Sequence, residues 1–166
     1  VISFVNAFVL PAALALLPPR MDSPAARALL LAIGLQESEF LERRQLLNDG
    51  RIGRGRGFWQ FELGGAITGV LSHPSTRAHV RRVLEELRYD DPSPEACYAA
   101  VEHNDVLAAA FARLNLWWLP GRLPRIDEAN RAWVDYLEAW RPGKPREATW
   151  DANYARAWRL ITAETS

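Results

Sequence analysis

Apolar residues return every three or four positions along most of this chain, the spacing that lays them on one face of a helix. Leu30, Ile33, Phe40 and Leu41 share one such stripe, and Ser23-Pro24 supplies a cap and a first-turn proline. Together they predict a helix running to about Arg43 or Arg44. Val80, Val83, Leu84 and Leu87 mark a second over 76–87, and Ser93-Pro94 opens a third through Val101. Asp105 can cap a helix carrying Leu107, Phe111, Leu114 and Trp118, which Pro120-Gly121 ends. Asp127 can cap the next, with Trp133, Leu137 and Trp140 inward before Pro142-Gly143. Thr149 or Asp151 starts the last, bearing Trp150, Tyr154, Trp158 and Ile161. Residues 1–20 are the most hydrophobic stretch, interrupted by Pro11 and stopped at Pro18-Pro19. They read as a broken helix packed on the core, with neither the positive start of a signal peptide nor the length of a membrane span. The chain begins with Val1, so segments upstream stay open.

The helical period fails over 45–72, which holds seven of the ten glycines. That density breaks helices and permits tight backbone approach, predicting a glycine-rich loop or small β-hairpin after the first long helix. The expected fold is therefore mostly α, a single domain over 1–166 with one irregular insertion.

One position breaks the polarity pattern. Glu37 falls on the apolar stripe, four residues after Ile33 and three and four before Phe40 and Leu41. Glu39 and Glu42 have mainly polar helical neighbours, including Gln36 and Arg43. A carboxyl group among apolar side chains is pushed toward its neutral form, the state a general acid needs at working pH. A second carboxylate, Glu62, lies inside the glycine-rich segment.

Composition narrows the classes. Of 166 residues, 49% are hydrophobic and 24% charged, which is globular rather than disordered. Twenty Lys and Arg balance twenty Asp and Glu, so no global field favours nucleic acid. Arg51, Arg54 and Arg56 alternate with glycines, but they follow a helix rather than a strand and read as an exposed loop. Cys97 is alone and the histidines are His73, His79 and His103, so neither a disulfide framework nor zinc-ligand spacing is present, and no metal or cofactor is expected. Of seven tryptophans, Trp133, Trp140, Trp150 and Trp158 recur at helical spacing and read as core. Trp117 and Trp118 are adjacent and cannot both face the same side of a helix, so at least one is free to line a cleft.

The order helix, Glu37-Ser38, glycine-rich loop, then Gly57-Phe58-Trp59-Gln60-Phe61-Glu62 resembles the goose-type lysozyme and soluble lytic transglycosylase superfamily. In that superfamily a Glu-Ser pair ends a helix and a Gly-Leu-Met-Gln strand follows a loop. Leu107-Ala108-Ala109-Ala110-Phe111 resembles the transglycosylases' Leu-Ala-Ala-Ala-Tyr, yet Phe111-Ala112-Arg113-Leu114 stands where their Tyr-Asn-Ala-Gly would be. Trp59 replaces the methionine or leucine before the glutamine.

The resemblance implies a lysozyme-like fold and cleavage of peptidoglycan between N-acetylmuramic acid and N-acetylglucosamine, at the bacterial cell wall. Glu37 would be the general acid and Glu62 a base for water; if Glu62 points away, the sugar's 6-hydroxyl would attack to give a 1,6-anhydro product. Ser38 and Gln60 would be positioning or substrate-binding groups, and Trp59, Phe58, Phe111, Trp117 and Trp118 would line the cleft. A bacteriophage endolysin or virion-associated lysin would suit such a chain, whether made in the host cytoplasm or carried in the particle. Peptidoglycan is the expected partner, with no nucleic acid and no membrane insertion; the oligomeric state is open, a monomer favoured. The rival expectation is a catalytically inactive lysozyme-like structural or glycan-binding domain of a phage particle.

Overall fold

Residues 2–15 form the first helix, α1, in a computed structural model that describes residues 1–163. Pro11 does not break it, contrary to the interruption expected. A π-helical turn, Val5–Val9, precedes the final segment Leu10–Ala15, and Pro11 sits in that segment's first turn, where its missing N–H is tolerated. Val5, Val9, Leu10, Ala13 and Leu14 bury the inner face. A 3-10 turn, Pro19–Met21, then leads into α2, Pro24–Ser38, whose cap is the one predicted: Ser23 Oγ accepts the Ala26 N–H at 3.1 Å.

Strands β1, Arg44–Leu46, and β2, Ile52–Arg56, pair antiparallel with Arg44 opposite Arg56 and Leu46 opposite Ile52. A π-helical turn, Leu63–Ile67, continues into α3, Thr68–Ser72. There follow α4 (Arg77–Glu86), α5 (Pro94–His103), α6 (Asp105–Trp117), α7 (Ala129–Trp140) and α8 (Trp150–Ala163). The described residues thus form a mostly helical fold with a small hairpin after the Glu37 helix. None of these helices is long and apolar enough to cross a membrane.

Helix α6 is the hub. Every residue from Leu107 to Leu116 is buried, and it packs against α1, α4 and α5, while α2 lies mainly along α8. Its cap is Asn104, whose Oδ1 accepts the Leu107 N–H at 3.0 Å, rather than the expected Asp105. Asp105 is instead gripped by Arg43 through Nε and Nη2 at 2.8 and 2.7 Å. The hairpin is fastened beside it by Glu102, which accepts from Arg44, forms an ion pair with Arg56 and is 8% exposed. Two of the hairpin's arginines are therefore structural, while Arg51 pairs locally with Asp49 at the tip.

The largest departure from the sequence reading is the end of α2. The helix stops at Ser38, five or six residues early, because Glu39 and Phe40 both turn left-handed (φ 53° and 57°). The reversal lays the Phe40 ring over the backbone of Gly34, so closely that a Cβ at Gly34 would meet its Cζ at 2.1 Å. Phe40 is buried there edge-on to Phe58 and Trp59, at ring separations of 5.4 and 5.7 Å. Leu41, predicted on the apolar stripe, is 67% exposed. The same economy of space recurs at Gly57 (φ 72°), where a Cβ would lie 2.7 Å from the Val101 carbonyl oxygen of α5.

Replacing Gly34 with alanine forces the Phe40 ring off its seat, so Gly34→Ala is expected to lower stability by about 1–3 kcal/mol, the usual range for overpacking. Urea denaturation monitored by tryptophan fluorescence measures this; an unchanged midpoint would mean that the ring is not seated on Gly34.

Candidate functional site

The last turn of α2 is held on two sides, with Glu37 between the fastenings. On one side Gln36, 3% exposed, donates from Nε2 to the Arg146 carbonyl at 2.8 Å. Its Oε1 accepts from Thr149 Oγ1 at 3.1 Å and from Asn153 Nδ2 at 2.9 Å. Arg146 returns a bond from Nη2 to the Gln36 carbonyl at 2.7 Å. On the other side Ser38 Oγ donates to the Phe58 carbonyl at 2.7 Å and accepts the Phe40 N–H at 3.2 Å. The loop after α7 and the turn after the hairpin are thereby tied to the residues flanking Glu37.

Tyr136 of α7 completes the arrangement, its hydroxyl donating to Glu37 Oε1 at 2.6 Å. The phenol is itself fixed: Tyr136 is 2% exposed and stacks on Trp150 at 5.2 Å and 14°. Burial pushes the Glu37 carboxyl up from an ordinary 4.5 to about 7. The Tyr136 hydrogen bond and the charge of Arg146 pull the other way, and Glu62 adds to the rise. Burial prevails. The Tyr136 phenol is raised as well, by burial first and then by Glu37, so it stays a neutral donor. With Oε1 occupied by Tyr136, Oε2 is left to carry the acidic proton of Glu37.

Glu37 lines a cleft of about 1350 Å³ that also takes in Ser38, Gln60, Glu62, Trp118 and Trp140. Its volume suits an extended ligand of several rings rather than a small metabolite. Glu62 is exposed on the opposing segment, caps no helix with its side chain and makes no ion pair among the described residues. Gln60 holds a left-handed turn (φ 51°), with Nε2 donating to the Gly57 carbonyl at 2.9 Å. Ser38 reaches the cleft wall, but its hydroxyl is engaged in the two bonds above, making it a positioning group. No cluster of His, Cys, Asp and Glu among the described residues could hold a metal ion.

Four expected substrate contacts are corrected. Trp59 is fully buried, its indole N–H donating to the Leu30 carbonyl at 2.9 Å inside the core. Phe58 and Phe111 are also core, Phe58 beneath the Arg43 guanidinium and Phe111 against Phe61. Apolar rings next to the glutamine gain more from the packed interior than from a wet cleft. Trp117 faces away from the cleft while its neighbour Trp118 lines it, the division that adjacent helical positions impose.

Other cleft residues went unseen in the sequence. Tyr136 stands three residues after Trp133 and four before Trp140, so its place on the inner stripe of α7 was available, but nothing local marks its hydroxyl as a partner for Glu37. Trp140, read as core, contributes to the cleft wall and donates its indole N–H to the Trp59 carbonyl at 2.8 Å. Arg146 lies in an aperiodic loop and carried no signal.

Between pH 4.5 and about 7 the folded chain keeps a proton on Glu37 that the unfolded chain has released, so stability falls as pH rises through that window. The loss levels off above pH 7 at about 3 kcal/mol. Glu37→Gln removes the ionising group and is expected to be more stable than the parent at pH 8, by about 1–3 kcal/mol, with the gap closing near pH 4. Denaturant unfolding of both proteins at the two pH values measures it; a gap that does not change with pH would contradict the burial of this acid.

In comparisons with known proteins, no family model, no curated protein and no solved structure matches this chain.

Proposed function

We propose that the chain is a peptidoglycan-cleaving muramidase with a lysozyme-like fold, in which Glu37 is the general acid for the bond between N-acetylmuramic acid and N-acetylglucosamine. The observation that carries this reading is a carboxyl group raised to about 7 on the wall of an open cleft, held by Tyr136 on one oxygen. Glu37 protonates the glycosidic oxygen as the bond to the muramic acid ring breaks, and its own carboxylate then faces the positive charge developing on that ring. The substrate class follows from the Glu37-Ser38 and Gln60 resemblance.

Glu62 lines the same cleft and raises the Glu37 carboxyl electrostatically, which supports the role of base toward water. In hydrolysis, water gives a proton to Glu62 and its oxygen bonds to the ring carbon. In the anhydro route the 6-hydroxyl of the same sugar makes that bond and returns a proton to Glu37. The absence of the transglycosylase tyrosine at Phe111 is offset in one respect: Tyr136, from a different helix, gives Glu37 a phenolic hydroxyl.

Purified peptidoglycan tests the reading. Glu37→Gln is expected to lower turnover at least about 100-fold, the usual size of a general-acid contribution, while remaining folded. In the parent, kcat/KM should fall as pH rises past about 7, where Glu37 gives up its proton. If water is the nucleophile, Glu62→Gln also loses turnover and the products carry one water more than anhydro sugars; undiminished turnover with anhydro products removes Glu62 from the chemistry. Parent protein that binds the glycan and cleaves nothing would overturn the enzyme reading in favour of an inactive glycan-binding domain.

A further inference from the structure

A second pocket, of about 490 Å³, opens between the Pro19–Met21 turn and the C-terminal end of α6, away from Glu37. Trp117 and the leucines Leu116, Leu119 and Leu123 give it an apolar lining, and Arg20 and Arg113 give it charge. Arg113 is 3% exposed, which is unusual for arginine unless it is paired. Its Nε donates to the Met21 carbonyl at 2.6 Å, but its Nη1 has no hydrogen-bond partner. Both guanidinium groups flank the indole, their central carbons 5.6 Å (Arg20) and 5.1 Å (Arg113) from the Trp117 ring.

The nearby acids are already committed. Asp22 feels the charge of Arg113, yet both its oxygens accept from Arg27 at 2.8 Å. Arg122, at the pocket rim, is matched by Glu128 at 2.6 and 2.7 Å. Neither Arg20 nor Arg113 forms an ion pair among the described residues. Burial lowers the Arg113 guanidinium only to about 10, so it stays charged at neutral pH. Burial, together with the charges of Arg20 and Arg82, holds His79 below its usual range, so His79 adds no competing negative group at this end of the fold. A buried cation with an unmet N–H is costly to maintain, and beside an open apolar pocket it marks a place for an anion.

We propose that this pocket binds a small amphipathic carboxylate, its head on Arg113 and Arg20 and its flat or aliphatic body against Trp117 and the leucines. A planar carboxylate matches the guanidinium fork, and the apolar lining favours a ligand with a body over a bare inorganic ion. The site is independent of the cleft chemistry.

Isothermal titration of the full chain with benzoate, inorganic phosphate and benzyl alcohol tests this. Benzoate is expected to bind saturably at one site, at least about tenfold more tightly than phosphate or benzyl alcohol. Because Arg113→Met can disturb the core, the exposed Arg20→Gln is the informative variant and should weaken benzoate about tenfold. Glu37→Gln should leave it unchanged. In two-dimensional NMR spectra, benzoate should shift the indole N–H of Trp117, assigned by its disappearance in Trp117→Phe. Absence of saturable benzoate binding, binding unaffected by Arg20→Gln, or phosphate binding as tightly as benzoate would overturn the proposal.

Discussion

The seating of the Phe40 ring on the Gly34 backbone is the contact from which the rest of the site follows. It needs two left-handed residues in succession, Glu39 and Phe40, a conformation that side-chain-bearing residues adopt only when their surroundings impose it. Phe58 and Trp59 impose it here, closing an aromatic nest around the reversed ring. The consequence for Glu37 is positional. A helix continued to Arg43 would have placed Glu37 in the middle of a regular face; the stop at Ser38 places it in the last turn, where one flank opens on the cleft.

The state of Glu37 is then a contest in which burial and the nearby Glu62 charge act against two other partners. Desolvation favours the neutral acid, whereas the Tyr136 hydroxyl and the Arg146 guanidinium favour the carboxylate. Had desolvation been weaker, those two partners would have made Glu37 an ordinary buried ion pair. They instead bring it close to neutrality, where an acid gives up a proton readily and takes it back within one catalytic cycle. The arrangement costs stability at neutral pH, as functional sites often do. Gln36 and Ser38 bear the structural load on either side, so that Glu37 itself is spared from tying loops together.

Helix content was legible because the stripes in α4, α6, α7 and α8 are long and regular, and Pro120-Gly121 and Pro142-Gly143 stand just past the ends of α6 and α7. The glycine density marked the hairpin for the same kind of reason. The α2 terminus was misread because Phe40 and Leu41 continue the helical period in sequence while the chain has already turned back; periodicity records spacing and cannot report that a ring prefers the far side of Gly34. Glu37 was legible as an acid on an apolar face. Tyr136 and Arg146 were not, since their relation to Glu37 spans about a hundred residues and arises only when α7 and its following loop close on α2. Trp59 and Phe58 misled in the opposite direction, as neighbours of Gln60 in sequence whose rings point into the core.

The account stands on Glu37 holding its proton near neutral pH. Its side-chain carboxyl carbon, followed by carbon-13 NMR across a pH titration of the intact protein and assigned by its absence in Glu37→Gln, reports that directly. A midpoint close to 7 is the expected result. A midpoint near the ordinary 4.5 would mean that the group is solvated and would contradict the proposed general-acid role.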